Sequence, residues 1–296
     1  MVTANKNEQI YSFFCYLIVG LAALVALVPL LYVFSMSLTG EREWIDRGGF
    51  IFIPFHPTFR AYEIIFTAGS AFVRSLFISI ERTILGTAIQ LSLTVITGYI
   101  MSRIRLPGRK FIIIMVLVTI LFGSGLIPTY LVIRSLGIMN TIWALIIPGA
   151  VHSWSALVFK QFFEGIPASL EESAEMDGAT EFTKMVKILL PMSAPSLAAI
   201  GLFTAVGHWN AWFDVMLYIN DGKLYTMQYI IRNMFVSSNL SNDLILNYGL
   251  MDVDYRVPLN TLRMAVAIFG TVPILLVYPF LQKYFIRGVY LGAVKE

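Results

Sequence analysis

The sequence predicts an all-α integral membrane protein with six transmembrane helices, and three observations predict it. Hydrophobic residues make up 57% of the chain and charged residues 13%, with a mean hydropathy of +0.75, too little polar surface to coat a water-soluble globule of 296 residues. Six stretches are long enough and free enough of charge to cross about 30 Å of hydrocarbon as helices of roughly 20 residues. The basic residues collect in the segments between those stretches, as they do on the inner side of membrane proteins. The 21 basic and 18 acidic residues nearly cancel, which excludes a nucleic-acid footprint and an acidic solvating tail. Cys15, the single cysteine, excludes a disulfide framework or a cysteine metal cluster, and His56, His152 and His208 share no ligand spacing, so no metal site is expected.

The first span is residues 13–35, with Pro29 near its outer end; it is too long for a signal-peptide core and no small-residue cleavage site closes it. The second is 76–102, with Glu81 and Arg82 in its outermost turns, where they mark the membrane interface. The third is 111–133, the fourth 138–159, the fifth 195–213 and the sixth 264–282. Prolines 128, 148, 273 and 279 fall within or at the ends of these spans, where neighbouring helices can satisfy the freed backbone groups. Arg103, Arg105, Arg109 and Lys110 follow the second span with no acid among them, so this hinge is cytoplasmic. Alternation then places both termini and the segment 160–191 inside, and the segment 214–263 outside.

The inner segment 160–191 is acidic, with Glu164, Glu171, Glu172, Glu175, Asp177 and Glu181 against three lysines, and its pattern is two short helices around one glycine. Ser169 and Glu172 have capping-box spacing, Ile166, Leu170 and Ala174 recur every fourth residue, and Gly178 can end that helix in a left-handed conformation. Thr180 can cap a second helix whose Phe182, Met185, Val186 and Leu189 make one apolar face, and Pro191 stops it. An amphipathic pair resting on lipid is one reading, but such helices favour lysine and arginine on the polar face. A protein partner fits the acidic helix better.

Glu172, Ser173, Ala174, then Gly178, and Ile188, Leu190 and Pro191 follow the spacing E-A-A, three residues, G, nine residues, I-x-L-P. This resembles the cytoplasmic signature of the membrane subunits of ABC importers, with Ser173 in place of the middle alanine. The stretch 171–195 and the tail 278–296 resemble in particular the carbohydrate permeases related to the maltose system. The resemblance implies a type I ABC importer permease, a single domain over 1–296 in the cytoplasmic (inner) membrane of a prokaryote. It implies a coupling helix-turn-helix that docks on a separate ATPase, with Glu172, Ser173, Ala174, Asp177, Gly178, Ile188, Leu190 and Pro191 as the coupling residues, and the tail residues Gly292 to Lys295 as a second contact. The chain has no GxxxxGK[ST] phosphate loop, so ATP and Mg would be bound by partner subunits and this subunit would not be a chemical enzyme. The implied partners are a second permease chain forming a heterodimer, two ATPase copies, an external solute-binding protein and the lipid membrane.

On the outer side, Tyr218, Tyr225, Tyr229, Phe235, Tyr248 and Tyr255 stand among Asn, Asp and Gly, a composition suited to stacking on sugar rings and bonding their hydroxyls. Trp209 and Trp212 are either part of an interfacial aromatic belt or, with Asn210 and Asp214 four residues apart on one helical face, part of a polar substrate path. The central thirds of the spans carry no ionisable group, which disfavours an ion-coupled secondary carrier. An importer for amino acids or peptides differs from a sugar importer mainly in its pocket.

Overall fold

The computed structural model describes residues 6–67, 70–236 and 259–293, and the regular elements among them are helices. They form two compact units, one from the chain up to Phe72 with Met234–Val272, the other from Val73–Asn233 with the chain from Pro273 onward.

The first unit starts with the helix Lys6–Ser37, which carries Pro29 and exposes nearly all its apolar side chains. Its last turn is tied down by polar contacts. Ser35 Oγ donates to the Ile51 carbonyl at 3.0 Å, Ser37 and Tyr62 share a hydrogen bond at 2.7 Å, and Thr261 Oγ1 donates to the Thr39 carbonyl at 3.0 Å. Buried Glu43 accepts the amides of Phe55 and His56 at 2.8 and 3.1 Å and the Arg47 guanidinium at 2.7 Å. Burial pushes this carboxyl up, but the two amides and the guanidinium outweigh it and hold it below the usual carboxylate range.

The second unit holds most of the 32-residue helix Ala71–Ser102, against which shorter helices pack. Val95, Tyr99, Phe159, Phe163, Met185, Leu189 and Ile200 form one core cluster, bringing together residues far apart in sequence. Gly98 lets two helices approach here. A β-carbon at this position would meet Phe159 Cβ at 2.7 Å and the Ala156 carbonyl at 2.9 Å.

Among the described residues, Ile10–Ser37, Ala71–Ser102 and Leu259–Val277 are each long and apolar enough to cross a bilayer unbroken, and Glu181–Met192 with Ala194–Asn210 forms a pair bent by 84°. Three expected single helices are interrupted. The stretch 111–133 divides into Arg109–Leu121 and Leu126–Ser135, because Phe122 is extended and Gly125 takes φ 78° before Pro128. The stretch 138–159 divides into Trp143–Ile146, a 3-10 turn over Ile147–Gly149 and Ser153–Glu164, where Pro148 and the extended His152 break the ladder. Within 195–213, the helix Ala194–Asn210 ends at an extended Ala211 and a new one, Phe213–Tyr218, begins.

Candidate functional site

The acidic segment folds into a hairpin of two helices, Ala168–Met176 and Glu181–Met192. Gly178 adopts φ 77°, the Gly178 amide donates to the Glu175 carbonyl at 2.9 Å and the Ala179 amide to the Ala174 carbonyl at 2.9 Å. This pair of reverse bonds closes the first helix in a Schellman turn. Thr180 Oγ1 accepts from the Thr183 amide at 3.3 Å and starts the second helix.

Three sequence expectations for this hairpin are corrected. Ser169 lies inside the first helix rather than capping it; the N-cap is extended Pro167, which has no side-chain acceptor, so no capping box with Glu172 forms. Pro191 ends the second helix one residue late. A π-helical turn over Met185–Leu189, closed by the Leu190 amide donating to the Met185 carbonyl, widens the backbone ahead of the proline, and the helix continues to Met192. The four apolar residues do not form one buried face: Met185 and Leu189 enter the core, while Phe182 is 69% exposed and Val186 also faces outward. Phe182, Met176 at 87% and Leu170 are thus exposed apolar groups on an acidic hairpin. Glu172, Ser173, Asp177, Gly178 and Pro191 are exposed, Ala174 and Ile188 half-buried, and half-buried Leu190 packs on the core cluster.

The acid of this segment has internal partners. Arg103 forms a two-pronged pair with Glu171 and stacks its guanidinium over the Tyr99 ring at 4.2 Å. Tyr99 Oη donates to the Glu181 carboxylate at 2.5 Å. Lys184, only 2% exposed, bonds Glu175 at 2.7 Å and also pairs with Glu181. Arg109 and Lys160 meet on Glu164 at 2.5 and 2.7 Å. The Lys184 ammonium holds the Glu175 carboxyl below the usual carboxylate range, Arg105 adding to the effect and neighbouring Glu181 opposing it. The basic hinge and the acidic hairpin are therefore two halves of one network.

Beside the middle of the Ala71–Ser102 helix, a cavity of about 570 Å³ opens in the second unit. Its polar lining includes Arg82, Gln90, His152, His208 and Asp214, and its aromatic lining includes Tyr218. Arg82 is 2% exposed, pairs with Asp214 through two bonds and also donates to the Ala211 carbonyl at 3.2 Å. It is not an interface marker, as its place near the start of the second span suggests, because its neighbours bury it. His208 Nε2 lies 2.8 Å from Gln90 Oε1.

Asn210 and Asp214 do not share a helical face, since extended Ala211 separates their helices; Asn210 is exposed while Asp214 lines the cavity. Trp209 is buried, and Trp212 lies under the Arg232 guanidinium at 3.9 Å. Tyr218 is buried against Tyr130, with ring centroids 6.3 Å apart, and Tyr225 and Tyr229 meet edge to face at 4.6 Å. Tyr248 and Tyr255 lie outside the described residues, as do Val294 and Lys295 of the tail.

Residues 95–290, two thirds of the chain, match the family described as binding-protein-dependent transport system inner membrane component. The chain belongs to this family. It is 37% identical to the polygalacturonan/rhamnogalacturonan transport system permease protein YtcP of Bacillus subtilis (strain 168), over 98% of this chain and 99% of the relative. Among solved structures, a chain of a bacterial ABC transporter involved in the import of the acidic polysaccharide alginate superposes with a TM-score of 0.82 at 27% identity, covering 96% of this chain and 100% of the other. A chain of the bacterial alginate ABC transporter in complex with an alginate pentasaccharide-bound periplasmic protein shares the fold alone, with a TM-score of 0.53 at 15% identity and 93% and 94% coverage. The architecture is therefore that of an ABC importer permease, a multi-pass membrane subunit. The matched stretch includes the whole hairpin, Tyr99, Arg103 and Asp214, while Arg82 and Gln90 precede it. Sequence reasoning passed over Tyr99 and Lys184; the only available signal was an unexplained acidic segment close to an unpaired basic hinge.

Proposed function

We propose that this chain is one membrane subunit of an ATP-driven importer that carries an oligosaccharide into the cytoplasm. The observation that carries the reading is the hairpin: a braced helix-turn-helix that exposes Met176 and Phe182 at an acidic surface and has Glu172 and Gly178 open to contact. Such a surface suits docking on a separate subunit better than burial in lipid. Separate ATPase subunits bind ATP and Mg and grip the hairpin from the cytoplasm, where both chain termini also lie. A second permease chain completes the pathway, and an external binding protein delivers the sugar to the outer face.

The cavity supports the substrate class. Its size falls within the range of about 300–1,000 Å³ usual for small-ligand pockets, and it combines amide, imidazole and hydroxyl groups with aromatic faces. The relatives named for galacturonan and alginate transport favour an oligosaccharide over an amino acid or peptide. In the proposed cycle, ATP binding draws the hairpins together and opens the pathway outward, and hydrolysis reverses the change; the two states must bind their ligands unequally for this to drive transport. Gly178→Pro and Glu172→Ala test the reading in membrane vesicles holding the complete transporter. Uptake is expected to fall while ATP hydrolysis persists, and uptake unchanged in both variants would remove the hairpin from the mechanism.

A further inference from the structure

We infer that Tyr99, Arg103, Glu171 and Glu181 form a mechanical joint that makes the hairpin and the inner end of the Ala71–Ser102 helix move as one body, so that docking at the hairpin is felt at the Arg82–Asp214 pair. Glu171 sits on the first hairpin helix and Glu181 starts the second, and both are held from the same helix end, by Arg103 and by the Tyr99 hydroxyl. The Arg103 guanidinium over the Tyr99 ring locks those two anchors together. Lys184, bonded to Glu175 and Glu181, fastens the two hairpin helices to each other. The hairpin thus has little freedom to pivot without carrying the helix with it.

Two rods lead away from this joint and meet again. The Ala71–Ser102 helix runs about 30 Å from Arg103 back to Arg82. The Ala194–Asn210 helix leaves the end of the hairpin at an 84° bend and runs about 25 Å to the break before Asp214. Arg82 bonds both Asp214 and the Ala211 carbonyl at that break, which closes the frame on the cavity. A displacement at the hairpin base therefore reaches the cavity wall through two stiff elements and one buried ion pair, a continuous physical path between the sites. The inference rests on the proposed docking of an ATPase at the hairpin and names how its motion is delivered.

The test uses the complete transporter with its ATPase and binding protein, reconstituted in vesicles, and reads uptake and ATP hydrolysis per assembled complex. Arg103→Glu and Glu171→Arg are each expected to lower uptake on the order of tenfold while hydrolysis persists, and the double reversal to restore most of the uptake. Tyr99→Phe, which removes one hydroxyl and leaves the packing, is expected to shift the ratio of uptake to hydrolysis in the same direction by a smaller factor. Parental uptake in the single variants, or a parallel loss of uptake and hydrolysis that the double reversal does not repair, would reduce the joint to a fold brace and overturn the inference. A parental complex that transports without consuming ATP would overturn the importer reading and the inference together.

Discussion

Arg82 and Asp214 show how differently two partners can depend on one bond. Arg82 is 2% exposed and Asp214 27%, so removing the acid strands a buried charge, whereas removing the base leaves a carboxylate that water can reach. Asp214→Ala is expected to cost about 3–5 kcal/mol and Arg82→Ala distinctly less, with the double variant recovering part of the loss, as measured by thermal unfolding of the detergent-solubilised protein. Glu175 makes a pH-dependent contribution of the opposite kind. Its folded carboxyl is held below the unfolded value by Lys184, so its contribution is complete above the ordinary carboxylate range and lost as pH falls through the folded value. A spin label at Met176→Cys is expected to gain mobility on that acid side, and a label equally immobile throughout would remove Glu175 from the brace. Asp214 was legible in the sequence only as a polar residue near a helix end. Arg82 was not, because a charge beside Glu81, eleven residues into an apolar helix, has the same hydropathy whether lipid headgroups or a buried acid receive it.

At the scale of elements, the hairpin was the most legible part of the chain. Gly178 and Thr180 carry local chemistry that fixes a turn and a cap whatever surrounds them, and both act in the structure as that chemistry dictates. Ser169 failed as punctuation and Pro191 acted one residue late, because their effect depends on neighbours: Pro167 takes the capping position, and a wider turn carries the helix past Pro191 to Met192. The reason for the acidic segment lay in Arg103, Arg109 and Tyr99, some 55 to 82 residues away in sequence, beyond the reach of any periodicity. Helix contact adds a further test. Gly98→Ala sets a methyl group against the backbone carbonyl of Ala156, which cannot rotate aside, so a loss of about 1–3 kcal/mol is expected from overpacking. Equal unfolding temperatures for the parent and this variant would show that the helices can separate at no cost.

For the molecule as a whole, composition alone established a membrane protein, and the hairpin spacing pointed to its family; the breaks in the helices did not show. Hydropathy sums over a window and cannot distinguish one crossing helix from two short ones joined by Phe122–Gly125 or by Ile147–His152, since both bury the same residues in the same apolar setting. The opposite case is the long first helix, which was legible throughout because nothing interrupts it. From Ile10 to Leu31 its side chains, half-buried Cys15 apart, stay exposed, a length of about 33 Å against a hydrocarbon layer of about 30 Å. Its far end is pinned through Ser35 and Ser37, so the excess must be met by leaning or by a locally thicker bilayer. Uptake measured across a series of phospholipids of increasing acyl-chain length is expected to be highest at the longer chains, making the surrounding lipid a determinant of how fast this transporter turns over.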